Sequence, residues 1–547
     1  MGSGARLGSR EDVRSVVGRV KWSSEVPVVV YRRVRRASTF FALAVLATVS
    51  PALGDAAAVP LLALAGLLLF GIEDGPLFRT LAVQGDHEEE RLYGLGAFAL
   101  ALAGLAAAAS LPRVPLPTEA LAAGTLAVGG GRLGHALVRS RAEASPRPAE
   151  PSEATTLASD GTGSTPRGDG DRIDSGAIDI GTVDPASMDP TLTGERLRPA
   201  VGYLLAGGLT AAVGHLVAGV VSRGEPPTGD VVGAAGSVAT AVPPAAVGTA
   251  IVVGAVSVLT AVVVRSLVYE RDAHLTVVVV AIVAWGLTAM GVILSPLGAL
   301  AAVVVTAGLG AAAYALGAAS VSGMVAGALV LLLTVVLGGV GWFLALTTFY
   351  ALGGLVSKYR FDEKAARGVA QENAGARGTG NVAANSAVAL VSVVGFAATA
   401  GDGGVLSAAF TLAFAGAVAT AMADTLSSEV GGLFDRPRLV TTLRPVPAGT
   451  DGAVTWQGEV AGLAGAALVG LVATVQTPVW GAVVGPVALV GPTATLVITL
   501  AGVGGMTVDS LLGAAVEGDR VGNEAVNFLA TLSGAVIAVA LGVGLGL

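Results

Sequence analysis

Repeated apolar runs of about 17–25 residues restrict the folds open to this chain of 547 residues more than any other feature. Hydrophobic residues make up 53% of the sequence and charged residues only 13%. A run of this length, wound as a helix, crosses a hydrocarbon core of about 30 Å. The short alternating segments of a closed β-barrel are not seen in the sequence. We therefore predict an all-α, polytopic transmembrane helix bundle of about 15 spans.

The composition also excludes several kinds of chemistry. The absence of cysteine rules out disulfides, thiol catalysis and cysteine-bound metals. The four histidines are scattered along the chain without the spacing of a zinc site. A net charge of −7 argues against nucleic acid as a partner. Arginine greatly outnumbers lysine and the polar stretches are acidic, which is typical of a salt-adapted, archaeal-like host.

Polar segments divide the chain into three parts. Residues 1–141 are predicted to form an N-terminal four-span membrane module. Residues 142–195 are rich in Ser, Thr, Pro, Gly and Asp, so we expect a disordered acidic linker. Residues 196–547 form a C-terminal membrane module. Even numbers of predicted spans separate the Arg-rich N-terminus from three polar C-terminal loops, so the positive-inside rule places them together in the cytoplasm of a multi-pass cell-membrane protein.

The first polar loop, 357–381, and the helix after it concentrate groups that are costly in lipid unless they have partners or perform chemistry. All five asparagines of the chain lie within 373–385 or 523–527. Glycine lets backbone N–H groups approach a phosphate, and lysine and arginine supply the counter-charge. We predict catalytic roles for Lys358 and Lys364. Phosphate binding is assigned to Arg377, Gly378, Gly380, Asn381 and Asn385. The alternative is a solvated loop with basic anchors at the lipid head groups.

The second polar loop, 424–459, begins with a carboxylate at the end of an apolar run. Mg²⁺ prefers one or two carboxylates together with phosphate oxygens and water. Asp424 is therefore predicted to be catalytic and to bind the metal, with Ser427 or Ser428 on the same helix face. Glu429 lies about 140° further round a regular helix and could join the ion only if the helix bends. The alternative is an interfacial helix cap.

The rest of this loop is rich in proline and arginine. We predict that it holds phosphates or a nucleotide through Arg438, Arg444 and Thr450; an ordinary connector is the alternative.

The third polar segment, 507–525, adds a second carboxylate and the last asparagine pair. Asp509 is predicted to be catalytic and to share a Mg²⁺ cofactor with Asp424. Asn523 and Asn527 are four residues apart and share a helix face, so we expect them to orient substrate phosphates. Hydrogen bonding between helices is the alternative for Asn527.

Several motifs occur in an order that resembles a known membrane family. They are SKYRFDEKAARG, ENAGARGTGNVAANSAVA, ADTLSSEVG, PRLVTTLRPVPAGTDGAVT, MTVDSLLGAA and NEAVNFLATLSGA. The family includes the plant phytyl-phosphate kinase and is remotely similar to dolichol kinase, phytol kinase and CDP-diacylglycerol synthase. The resemblance covers about residues 275–547. It implies phosphorylation of an isoprenoid monophosphate to the diphosphate, with CTP or another nucleoside triphosphate as the expected donor. Asp451 stands where the family usually has Lys or Asn.

The residues and the resemblance together predict a membrane-embedded phosphotransferase. Its partners are an isoprenoid phosphate or alcohol, for example geranylgeranyl phosphate, a nucleoside triphosphate and the lipid bilayer; the sequence gives no oligomeric state. Phosphoryl transfer depends on positioning and charge neutralisation, which Mg²⁺, lysine and arginine supply. One alternative is a cytidylyltransferase, which would release pyrophosphate instead of CDP. The other is a secondary transporter, although transporters place their polar groups near the bilayer midplane and not at helix ends.

Overall fold

The computed structural model describes residues 26–144, 190–222, 242–268, 272–371, 375–399, 404–474, 491–516 and 521–547. These residues are almost entirely helical, and the predicted all-α class is confirmed. Most of the predicted linker, residues 145–189, and Asn373 lie outside the described residues.

The helices before residue 290 include those of the predicted N-terminal module. Ser50–Ala56 is a 3₁₀ helix and Leu67–Gly71 a π-helix, and the axis bends by 100° between 59–71 and 75–81. The α-helices are α1 Val26–Val49, α2 Val59–Gly66, α3 Gly75–Leu81, α4 Gln84–Glu89, α5 Tyr93–Ala109, α6 Thr118–Ala144, α7 Pro190–Ser222, α8 Pro244–Leu267 and α9 Ala273–Ala289.

The remaining helices form the C-terminal half of the bundle. They are α10 Pro296–Ala315, α11 Val321–Leu337, α12 Val340–Lys358, α13 Phe361–Ala366, α14 Thr379–Thr399, α15 Val405–Gly431, α16 Trp456–Ala473, α17 Pro492–Val516 and α18 Asn523–Leu545. Between α15 and α16, the strands β1 Arg438–Leu439 and β2 Ala453–Val454 pair antiparallel.

The number of membrane spans is lower by a strict criterion than the sequence predicts. Ten helices in the described part of the chain are long and apolar enough to cross a membrane, or eleven if the bent pair near residue 73 is one span. Helices α5, α9 and α11 are also apolar but have only 17 residues each. The polytopic helical fold is therefore confirmed, whereas the count of 15 is not.

Helix α6 packs closely on α7, so the first four-span region contacts the helices that follow the predicted linker. A Cβ atom at Gly131 would lie 2.4 Å from a ring carbon of Tyr203, and one at Gly134 would lie 2.3 Å from the carbonyl oxygen of Gly202. Small residues of this kind let helix backbones approach in a membrane. The division at 142–195 remains a prediction, but the flanking helices touch each other.

Helix α15 lies at the centre of the C-terminal half, in contact with α14, α16, α17 and α18. Its contact with α17 and α18 depends on glycine. Cβ atoms at Gly505 and Gly534 would lie 2.2 Å and 1.9 Å from the Thr420 hydroxyl. This packing fixes α15 relative to two helices that carry predicted site residues.

Candidate functional site

A polar cavity of about 180 Å³ lies where α14, α15, α17 and α18 meet at one end of the bundle. Its walls combine residues from all three polar loops, as the sequence predicts. The lining residues are Gln371, Arg377, Asn381, Asn385, Asp424, Thr425, Ser428, Asp509, Asn523 and Asn527. The sequence analysis singled out all of these except Gln371 and Thr425.

Two carboxylates meet in this cavity. Asp424 lies near the end of α15 and Asp509 near the end of α17, and their carboxyl groups are within hydrogen-bonding reach of each other. Two carboxylates this close repel each other unless they share a proton or a cation. Mg²⁺ is usually bound by one or two carboxylates together with phosphate oxygens and water. The two carboxylates lie beside a space large enough for a phosphate group. The predicted Mg²⁺ therefore fits these two residues.

The remaining ligands of such an ion would not be further carboxylates. Among the described residues, no group of three or more His, Cys, Asp or Glu side chains could hold a metal. Ser428 lines the same cavity, and phosphate oxygens and water usually complete the coordination of Mg²⁺.

Arg377 is a buried cation in the cavity wall, with only 7% of its surface exposed. Its guanidinium lies 4.9 Å from the centre of the Phe349 ring, and its Nη2 is 3.4 Å from the Thr425 hydroxyl. Burial lowers the pKa of the Arg377 guanidinium, and the neighbouring Glu429 and Asp424 oppose this shift. Arginine stays charged in proteins, so a positive charge is held in place before any anion binds.

The backbone around Arg377 explains why its position is fixed. Its N–H donates to the carbonyl of Ala318, and its carbonyl accepts from the N–H of Ser320, each at 3.0 Å. A Cβ atom at Gly353 would lie 2.6 Å from Nη2 of Arg377, so the absence of a side chain at Gly353 makes room for the guanidinium.

The asparagines present amide groups to the cavity from two helices. Asn385 and Asn527 are 5% and 7% exposed, and Asn385 Nδ2 donates to the backbone carbonyl of Asn381 at 3.0 Å. The side-chain oxygen of Asn381 is buried and accepts no hydrogen bond from the described part of the chain. Because an unsatisfied buried amide oxygen is unfavourable, this atom is suited to receive a donor from a ligand or its water.

Lys364 and Glu429 are not brought into the cavity, which differs from the roles expected of them. Lys364 Nζ contacts Glu429 Oε2 in a buried ion pair and donates to the carbonyls of Val356 and Ser357 at 2.9 Å each. An ammonium group has three N–H donors, so all of them are used inside the protein. Helix α15 continues as far as Gly431 without the bend that Glu429 would need to share a metal with Asp424.

Three other predicted residues, Lys358, Gly378 and Gly380, do not line the cavity. Lys358 Nζ is 5.9 Å from the centre of the Phe361 ring at the end of α12. A Cβ atom added at Gly378 would have no neighbouring atom within 4 Å, whereas one added at Gly380 would lie 3.3 Å from Glu524 Oε1. Gly378 therefore leaves open space beside the backbone at the start of α14, whereas Gly380 lies against Glu524.

The β1–β2 hairpin carries the predicted nucleotide-binding residues. Arg438 donates to the Leu443 carbonyl at 2.6 Å, Thr450 donates to the Pro447 carbonyl at 2.8 Å, and Arg444 is exposed. A Cβ at Gly452 would lie 2.5 Å from the carbonyl oxygen of Ser510, so the hairpin packs against the residue that follows Asp509. The hairpin lies next to the cavity without forming its wall.

Comparisons with known proteins match the part of the chain that contains this cavity. The model of the integral membrane protein family DUF92 matches residues 304–535, a range that contains the whole cavity. The chain is 33% identical over 207 residues to the uncharacterized membrane protein MJ0933 of Methanocaldococcus jannaschii, covering 37% of this chain and 76% of that one.

Two further relatives come from photosynthetic organisms. The uncharacterized membrane protein sll0875 of Synechocystis is 30% identical over 212 residues, which cover 38% of this chain and 77% of the relative. Protein VTE6, chloroplastic, of Arabidopsis thaliana is 34% identical over 145 residues, which cover 26% of this chain and 43% of VTE6. No solved structure matches the chain.

Proposed function

Because this chain belongs to the DUF92 family of integral membrane proteins, we propose that it is a kinase that phosphorylates an isoprenoid phosphate at the membrane surface. The resemblance to the family of the plant phytyl-phosphate kinase is confirmed, and the chain is a membrane protein related to a prenyl-phosphate kinase. The proposed donor is CTP, and geranylgeranyl phosphate is the proposed acceptor.

The observation that carries this proposal is the contact between Asp424 and Asp509 in a cavity that also contains the buried cation Arg377. Carboxylates for a divalent cation and a fixed positive charge are the parts that phosphoryl transfer requires. They lie at the ends of membrane helices, where the head group of a lipid meets the water in which a nucleotide dissolves.

Asp424 and Asp509 would hold Mg²⁺, with Ser428 beside them. When bound, the ion would neutralise negative charge on the phosphate groups. Arg377 would hold a phosphate from the side of α12, and Asn381, together with the other cavity amides, would orient its oxygens.

The proposed reaction needs no general base. An oxygen of the acceptor phosphate is already anionic near neutral pH, since the second pKa of a phosphate monoester is about 6. This oxygen forms a bond to the γ-phosphorus of CTP, while the bond between the γ-phosphorus and the β,γ-bridging oxygen breaks. CDP leaves with the electron pair. None of the described residues that line the cavity is a histidine, and the proposed chemistry does not require one.

The donor is proposed to approach from the hairpin side. Arg444 is exposed there, and Arg438 and Thr450 belong to the same connector. A cytoplasmic position for this end of the bundle, in the cell membrane, follows from the positive-inside rule and is part of the proposal.

The test is turnover by the purified protein in lipid vesicles containing geranylgeranyl phosphate, with Mg²⁺ and CTP. We expect geranylgeranyl diphosphate and CDP in equal amounts. Asp424→Asn and Asp509→Asn should each reduce kcat by about 100-fold or more. Thr507→Ala is the matched control on α17, because the Thr507 hydroxyl is exposed and donates only to the carbonyl of Val503. Release of pyrophosphate, or full activity of both Asp variants, would contradict the proposal.

A further inference from the structure

The size and lining of the cavity restrict which part of a lipid can enter it. All ten lining residues are polar, and the volume of about 180 Å³ corresponds to about six water molecules. Phosphate groups match both properties. A hydrocarbon chain matches neither property. The lipid tail could therefore lie inside the protein only if a path led from the cavity into the helix bundle.

The cavity floor is closed where α14, α15 and α18 meet. Val388, Ala417 and Ala535 pack together there and are 8%, 0% and 3% exposed. Val388 lies one helical turn below Asn385, and Ala417 lies two turns below Asp424. These small side chains bring the three helices together one to two turns below the residues that line the cavity.

The contact of α15 with α17 and α18 is tighter still. One turn below Asp424, Thr420 occupies the space where side chains at Gly505 and Gly534 would lie; their Cβ atoms would be 2.2 Å and 1.9 Å from its hydroxyl. Thr420 also donates to the carbonyl of Gly416 at 2.9 Å. The space between these helices is too small for one methyl group, so it cannot hold a prenyl chain.

On the side facing α12, a hydrogen bond joins α12 to α14. The hydroxyl groups of Tyr350 and Ser386 are 2.7 Å apart, and Ser386 directly follows Asn385. Phe349 lies beneath the guanidinium of Arg377. The described residues of α14, α15, α17 and α18 therefore pack closely below the cavity, on the side of the helix bundle.

We propose that this site recognises the phosphate head of its lipid and leaves the hydrocarbon tail in the surrounding bilayer. This inference rests on the proposed function and defines its substrate class: membrane-resident alkyl and prenyl monophosphates, irrespective of tail length or saturation. An enclosed hydrocarbon pocket behaves differently, because one methylene group in such a pocket changes kcat/KM by about 10-fold or more.

The test compares farnesyl, geranylgeranyl and phytyl monophosphate, each at the same mole fraction in vesicles, with CTP and Mg²⁺. We expect kcat/KM values within about threefold of one another, well below the discrimination of an enclosed pocket. The variant Val388→Ala, which enlarges the floor, should not change the order of preference. A preference of about 30-fold or more for one tail, or a shift toward another tail in Val388→Ala, would overturn the inference while the kinase activity stands. Absence of turnover with all three lipids would instead overturn the proposed function, and the inference with it.

Discussion

Lys364 and Glu429 form an ion pair inside the protein, with only 1% and 3% of their surfaces exposed. Lys364 also donates to the carbonyls of Val356 and Ser357, so one ammonium group caps the end of α12 and joins it to α15. The pair therefore fixes the segment between α12 and α14 relative to the helix that carries Asp424.

The first prediction concerns this pair. Lys364→Met leaves the Glu429 carboxylate buried without its counter-charge, so the free energy of unfolding should fall by about 3–5 kcal/mol. Adding Glu429→Leu should restore most of the loss, because an apolar pair replaces the ions. Denaturation in detergent micelles measures both variants.

The exposed ion pair between Arg367 and Asp435 is the control. It joins the same two segments, but the Asp435 side chain is 87% exposed. Asp435→Asn should change the free energy of unfolding by less than about 1 kcal/mol. If Lys364→Met were as harmless as Asp435→Asn, the structural role of Lys364 would be refuted.

The second prediction concerns the contact between α15 and α18. Gly534→Ala places a methyl group 1.9 Å from the Thr420 hydroxyl and 3.0 Å from the Gly416 carbonyl oxygen, so backbones must move apart. We expect a loss of about 1–3 kcal/mol of stability. Gly544→Ala, on the same helix, has no atom within 4 Å of the added methyl group and should be neutral or slightly stabilising. Equal thermal denaturation midpoints for the two variants would show that α15 and α18 are less tightly packed at Gly534 than this structure indicates.

The third prediction separates substrate binding from stability at Asn381. Its side-chain oxygen is buried without a partner in the described chain, so Asn381→Ala should leave the free energy of unfolding within about 0.5 kcal/mol of the original. The same variant should raise KM for the lipid phosphate by about 10-fold, the effect of losing one charge-assisted hydrogen bond.

Ser392→Ala is the control for Asn381→Ala because it lies on α14 below the cavity, where its hydroxyl donates to the carbonyl of Val388. KM should not change in this variant. If Asn381→Ala lowered the free energy of unfolding but left KM unchanged, the Asn381 side chain would stabilise helix packing and would not bind substrate.

The sequence predicts the fold class and most of the cavity for the same physical reason. In an apolar chain, polar groups persist only where they have partners or chemistry, so the asparagines and carboxylates at helix ends point to the candidate site. Asp424 and Asp509 are 85 positions apart in the printed sequence, yet the expected convergence of polar helix ends places them together.

Pairings across helices are the part that the sequence does not reveal. Lys364, predicted to be catalytic, and Glu429, predicted to join the metal if the helix bends, are both charged and adjoin apolar helices. Nothing in their spacing shows that they neutralise each other. Threonine is common in membrane helices, so nothing in the sequence distinguishes Thr425. Its place in the cavity is seen only from its contact with Arg377. Gln371 precedes Glu372 and Asn373, and the polarity of this short stretch is the one signal that could have identified it.

The fourth prediction tests the metal site without measuring activity. Asp424 and Asp509 repel each other when both are ionised, so Mg²⁺ should stabilise the protein by binding to the folded state. At 100 times its dissociation constant the ion should add about 2.7 kcal/mol to the free energy of unfolding, which raises the thermal denaturation midpoint.

Asp424→Asn removes one ligand and also the repulsion, so in buffer free of divalent cations this variant should be at least as stable as the original protein. Its midpoint should no longer respond to Mg²⁺, whereas that of Thr507→Ala should respond fully. A normal Mg²⁺ response in Asp424→Asn and Asp509→Asn would place the ion elsewhere and remove the basis for the proposed kinase site.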